Sequence, residues 1–157
     1  MNILFLDIDG VLNSSNGRRR ESFKHNRACT LHTLFEENME VLRSIIDAIN
    51  CKIVITSTWR NNFTLEELKT IFSVYNIPKH IIIDTTIVDH NANTRGFQIN
   101  EWLKNNSVNK FIIIDDDVSD IDLPNTIKIN GEFGLTFNDA EKIIQIFNKD
   151  FEFMIDF

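Results

Sequence analysis

Glycine and proline are scarce in this chain. Five Gly and two Pro among 157 residues exclude a collagenous, linker-rich or low-complexity protein, which would need those residues in bulk. Cysteine is scarcer still. Cys29 and Cys51 are too few for a disulfide framework or a zinc site, so two reduced thiols in a cytosolic protein are expected. No apolar run approaches the roughly 18 residues of a membrane-spanning helix. The stretch from Met1 to Asp7 lacks a basic segment and soon meets an acid, so a signal peptide is not expected and the location is expected to be cytoplasmic. Positive charge is in deficit: 16 Lys+Arg face 23 Asp+Glu, a formal charge of −7. That balance argues against broad, sequence-independent coating of nucleic acid or anionic membrane.

What remains is the composition of an ordinary globular protein, 43% hydrophobic and 25% charged, with a length that suits one domain and one core. Short apolar runs alternate with helical patterns. Ile3 to Ile8, Ile53 to Ile55, His80 to Asp84, Phe111 to Asp115 and Thr126 to Ile129 read as strands, nearly continuous as in a sheet covered on both faces. Leu42, Ile45, Ile46 and Ile49 follow helical spacing, as do Ile99, Trp102 and Leu103, and later Ala140, Ile143, Ile144 and Phe147. Thr64 and Glu67 form a capping box opening a helix that runs to about Tyr75 before Pro78. The expected fold is α/β, a Rossmann-like three-layer sandwich around a mainly parallel sheet of about five strands. It fills residues 1–150 as a single domain with a short insertion at about 14–36. The tail 151–157 alternates Phe151, Phe153, Ile155 and Phe157 with more polar residues, as an edge strand, a packed tail or an interface segment would.

Ligands of parallel α/β sheets bind beyond the carboxyl ends of the strands. The first strand ends in Asp7-Ile-Asp9-Gly10, and the fourth in Asp115-Asp116-Asp117 with Asp120 and Asp122 just after. Side by side, these acids would repel one another and resist ionisation unless a cation joins them. Mg²⁺ suits such an oxygen-only set better than Zn²⁺. The second strand ends Thr56-Ser57-Thr58-Trp59-Arg60, where hydroxyls and free backbone N–H groups could hold phosphate oxygens, and Arg95 opens a helix from which it could add positive charge.

These residues, in this order, resemble the haloacid dehalogenase (HAD) superfamily of phosphatases and phosphotransferases. Asp7-Ile-Asp9-Gly10-Val11-Leu12-Asn13 is similar to its first motif, Thr56-Ser57 to its second, and Asp115-Asp116-x-x-x-Asp120 to its fourth. Arg95 resembles the basic third motif, a place for which Lys104 and Lys110 compete. Gly134-Leu135-Thr136 before a helix resembles the small HAD domains of nucleic-acid repair proteins. The resemblance implies that Asp7 is a nucleophile forming an aspartyl-phosphate and that Asp9 is the general acid and base. It further implies that Asp7, the Asp9 backbone carbonyl and Asp116 hold Mg²⁺, that Asp115 and Asp120 orient that shell, and that Thr56, the Ser57 backbone and Arg95 grip the phosphoryl group.

There is no room for the separate cap domain that usually selects substrates in this superfamily. Capless members typically act on large substrates, so the implied substrate is a nucleotide or nucleic-acid end, or a phosphoprotein. The alternative is a catalytically silent phosphate-binding or interaction module. Within the insertion, Arg18, Arg19, Arg20, Lys24 and Arg27 accompany only one acid, Glu21. A basic flap beside the pocket is expected, with Phe23 available to stack on a base or an aromatic ring.

Overall fold

The computed structural model describes residues 1–25, 33–88, 91 and 93–152. Five strands form the sheet: β1 (Asn2–Leu6), β2 (Cys51–Ile55), β3 (Ile82–Thr85), β4 (Lys110–Asp115) and β5 (Thr126–Lys128). All pair in parallel, in the order β3-β2-β1-β4-β5. The helices are α1 (Ser15–His25), α2 (Glu36–Ile49), α3 (Leu65–Val74), α4 (Arg95–Lys104) and α5 (Phe137–Glu152). The Rossmann-like α/β fold expected from the alternation is the fold observed.

Strand pleating sends alternate side chains to opposite faces, and each face has its own core. Leu4, Leu6, Ile53, Ile55, Ile112 and Ile114 join α2, α3 and α5 in one cluster. Ile3, Phe5, Val54 and Ile113 join Ile99 and Trp102 of α4 in the other. There Phe5 meets Trp102 edge-on, with ring centroids 5.4 Å apart, a geometry that contributes about 0.5–1.5 kcal/mol beyond burial. The α2 stripe (Met39, Leu42, Ile45, Ile46, Ile49) is buried. Asn50 then ends the helix at φ 47°, a left-handed position that asparagine tolerates. The Thr64–Glu67 capping box is present in both directions.

The boundaries differ from expectation in three places. The third strand begins at Ile82 rather than His80, because Pro78 leads into a 3-10 turn over Lys79–Ile81. The insertion is not a loop over its first part, since Ser15–His25 is helical. The Ser14 hydroxyl accepts the Gly17 N–H, and the amides of Ser15 and Asn16 donate to the carbonyls of Gly131 and Glu132. At the other end, α5 takes up Phe151 and Glu152, and the rest of the alternating tail lies outside the described residues.

The chain leaves β1 for β2 and β3 on one side, then crosses to β4 on the other. This reversal opens a crevice beyond the carboxyl ends of β1 and β4, the position where open α/β sheets bind ligands. Leu6 pairs with Ile114 there, so the next residues, Asp7 and Asp115, emerge side by side.

Candidate functional site

Asp7 extends the β1 ladder by donating its N–H to the Ile114 carbonyl at 3.1 Å. Its side chain and that of Asp115 are buried, and oxygens of Asp7, Asp115 and Asp116 all lie within 4.8 Å of one another. Among the described residues this is the one group of three or more metal-ligating side chains gathered so closely. Asp116 fits between two glycines. A Cβ on Gly10, which sits at φ +80°, would come 2.3 Å from Asp116 Oδ2, so this approach requires glycine.

Arg95, the first residue of α4, reaches across the group. Its Nη1 lies 3.2 Å from Asp7 Oδ1 and also donates to Asp115 Oδ2. The other Asp115 oxygen accepts the Asp117 N–H at 3.0 Å. Burial first, and then the neighbouring Asp115, push the Asp7 carboxyl from its ordinary 3.8 up to about 8, with Arg95 pulling the other way. Asp116 is raised too, chiefly by burial. Burial alone would lower Arg95, but Asp7 and Asp115 outweigh it and hold the guanidinium above its usual value. Carboxyl groups that resist ionising where they stand, with no His or Cys among them, form a donor set matched to a hard divalent cation.

Asp9 stands apart from this group. Its Oδ1 accepts three hydrogen bonds, from Asn13 Nδ2 (2.8 Å), Trp59 Nε1 (3.0 Å) and Arg18 Nη2 (3.2 Å), while the side chain stays half exposed. Asp7, Asp9, Thr58, Arg95, Asp115, Asp116 and Asp120 are among the residues lining a cleft of about 380 Å³.

Several expected site residues take different positions. Thr56 and Ser57 do not line the cleft. Both are fully buried, and the Ser57 hydroxyl caps the 3-10 turn Thr58–Asn61 by accepting the Trp59 N–H. The Thr56 hydroxyl is buried without a partner, and Thr58 faces the cleft instead. Asp120 orients Arg95 rather than the carboxylate group: its Oδ2 accepts the Arg95 N–H at 2.9 Å and its carbonyl the Gly96 N–H. Asp115, expected to play a supporting part, belongs to the carboxylate group itself. Lys104 pairs with Glu101 at the far end of α4, and Lys110 donates to the Phe147 carbonyl and lies over that ring. Only Arg95 of the three candidate bases reaches the acids.

The residues of the basic segment differ in their surroundings. Arg19 pairs with Glu132 and Arg20 with Glu37, so their charges are largely matched. Among the described residues of the segment, Arg18 alone contacts a cleft residue, Asp9. Lys24 and Phe23 are exposed, and Arg27, like Cys29, lies outside the described residues.

Arg60 was passed over in the sequence, although it closes the Thr56–Arg60 run. Its guanidinium donates to the carbonyls of Thr56, Ser57 and Ile87 and to Gln98 Oε1, tying the end of β2 to α4. Trp59 and Asn13 were passed over too. Their position inside the motif segments is the signal that marks them.

Comparison with known proteins gives one match. The family model described as "HAD domain in Swiss Army Knife RNA repair proteins" matches residues 3–140. No curated protein matches and no solved structure matches. Among the described residues, no helix is long and apolar enough to cross a membrane.

Proposed function

The chain belongs to the family of HAD domains in Swiss Army Knife RNA repair proteins, and on that premise we propose that it is a Mg²⁺-dependent phosphomonoesterase acting on a nucleotide or nucleic-acid terminal phosphate. The observation that carries this reading is the group formed by Asp7, Asp115 and Asp116, bridged by Arg95 at the sheet's reversal point.

Asp7 attacks phosphorus, forming the aspartyl-phosphate as the bond to the leaving oxygen breaks. Asp9 gives its proton to that oxygen, then takes one from the water that hydrolyses the intermediate, releasing inorganic phosphate and restoring Asp7. The three donors on Asp9 Oδ1 fix the direction of its carboxyl, leaving Oδ2 for the proton. Arg95 and Thr58 face the phosphoryl oxygens, where positive charge and donors stabilise the developing charge. Asp7, Asp116 and the Asp9 backbone carbonyl would hold Mg²⁺, which would supply positive charge to favour ionised Asp7 and offset the phosphoryl anion. Asp115 steers Arg95 against Asp7.

The test is hydrolysis by the purified protein with Mg²⁺ of an aryl phosphate, 3′- and 5′-phosphorylated oligonucleotides, and phosphotyrosine and phosphoserine peptides. Release of phosphate from the aryl phosphate and the oligonucleotides, lost in Asp7→Asn, is expected. Preference for the peptides would move the substrate to phosphoproteins. Activity surviving Asp7→Asn would overturn the covalent step. Inactivity of folded, Mg²⁺-bound protein on every substrate would leave a silent phosphate-binding module.

A further inference from the structure

A second cleft of about 240 Å³ adjoins the first and shares Thr58, Arg95 and Asp120 with it; Arg60, Asn61, Asn93 and Gln98 are also in its lining. Its chemistry is opposite. Arg60 has four neutral acceptors but no carboxylate within ion-pair distance among the described residues, and its Nε is buried without a partner. The cation is therefore fixed in place with no carboxylate paired to it among the described residues. Burial, and then the second cation Arg95, lower its proton affinity, with Asp7 pulling the other way. Gln98 is more than nine-tenths buried. Its Oε1 accepts from Arg60 at 2.7 Å, while its Nε2 donates to nothing among the described residues and is left for the cleft. Thr58 and Asn61 are exposed on the same lining.

We propose that this Arg60–Gln98 cleft binds a second phosphoryl group of the substrate, next to the one hydrolysed. The inference deepens the phosphomonoesterase reading and rests on it for the position of the first phosphate. An anion here would meet a guanidinium with no ion-pair partner among the described residues, the Gln98 amide and two exposed polar side chains, in a partly desolvated setting where charge attraction is strong. The second phosphoryl group can be the adjoining phosphodiester of a polynucleotide or the second phosphate of a small bisphosphate.

The experiment is calorimetric titration of the Asp7→Asn protein in Mg²⁺, which binds without turnover. The ligands are adenosine 3′-monophosphate, adenosine 3′,5′-bisphosphate and a 3′-phosphorylated dinucleotide. At least one two-phosphate ligand is expected to bind about tenfold tighter than the monophosphate, since one added charge contact contributes on that order. Tighter binding of the dinucleotide identifies the polynucleotide source, and tighter binding of the bisphosphate alone identifies the small-molecule source. Gln98→Glu, which gives Arg60 a counterion, should abolish the preference. Asn61→Asp puts a negative charge on an exposed rim position, where folding is not at stake, and should reduce it. Equal binding of all three ligands, or a preference that survives both variants, overturns the second site. Binding is read without catalysis, so an inactive protein that keeps the preference would sink the phosphatase reading and leave this site standing.

Discussion

The two clefts at the carboxyl end of the sheet share Arg95 and differ in almost everything else. The first is lined by six carboxylates, Asp7, Asp9, Asp115, Asp116, Asp117 and Asp120, against the single guanidinium of Arg95. Among the described residues, the second holds two guanidiniums, Arg60 and Arg95, against the one carboxylate of Asp120. Neither composition is comfortable in isolation, since packed like charges destabilise the state that holds them. Each cleft lacks the charge its ligand would bring: a cation for the carboxylates, an anion for Arg60. Elsewhere in the fold, several charged groups are matched within the chain. Asp84 stands near the end of β3 as Asp7 follows β1, yet it accepts the Trp102 indole N–H at 2.7 Å and the Thr85 N–H at 2.8 Å. A strand-end acid alone therefore marks nothing, and what sets Asp7 apart is the company of other carboxyl groups.

The sharpest break in this contrast is Asp7→Asn. It removes the attacking oxygen, and kcat/KM on an aryl phosphate should fall on the order of 10⁴-fold, as losses of covalent-catalysis residues do. Steady-state kinetics within tenfold of the unmodified protein would refute Asp7 as nucleophile. Next is Arg95→Gln, which alters the wall common to both clefts. Loss of the charge facing the phosphoryl oxygens should lower kcat/KM by about 10²–10³-fold. Mg²⁺ should bind more tightly in titration calorimetry, because a competing cation has left Asp7 and Asp115. Weaker Mg²⁺ binding in this variant would mean that Arg95 organises the carboxylates rather than competing for them.

A smaller effect separates the acid cleft from the rest of the fold by pH. The folded state raises the Asp7 carboxyl to about 8, whereas the unfolded chain titrates near the ordinary carboxyl value. Between those values the folded state holds the extra proton, so stability without metal is greatest below about pH 4 with respect to this group. It declines as pH rises and is lost through about pH 8. Asp116 is shifted in the same direction. Melting temperatures in EDTA should therefore fall from pH 5 to pH 8 more steeply than for Asp7→Asn, and Mg²⁺ should flatten the slope. Equal slopes for the two proteins in EDTA would contradict the raised Asp7 value.

The parts of this arrangement that were legible in sequence depend on short-range pattern. Parallel strands covered on both faces read as apolar runs, so the acids ending the first and fourth runs fell at the ligand side of the sheet once the alternation was recognised. The capping box needed only Thr64 and Glu67, three positions apart. The parts that were illegible depend on partners remote in the chain. Helix α1 has no apolar stripe and starts against Gly131 and Glu132, more than a hundred residues away. Arg60 is held by neutral acceptors only once Gln98 and the carbonyl of Ile87 are folded around it. Likewise, the Ser57 hydroxyl finds its partner, the Trp59 amide, only once the 3-10 turn has formed.

Arg20→Gln gives the smallest effect and the cleanest control on the meaning of charge here. In sequence, Arg18, Arg19 and Arg20 form one basic block, and a block acting as a flap would weaken anionic substrates at each position. In the fold they separate: Arg18 contacts Asp9, whereas Arg19 and Arg20 meet Glu132 and Glu37 at the surface. The Arg20–Glu37 pair is 2.6 Å long, but both side chains are at least half exposed, so screening leaves it less than about 1 kcal/mol. Removing the Arg20 charge should shift the melting temperature only slightly and leave kcat/KM for a phosphorylated oligonucleotide within about twofold at physiological salt. A loss of tenfold or more would show that the outer face of α1 steers substrate despite its pairing. Charge outside the two clefts would then have to be counted with the charge inside them.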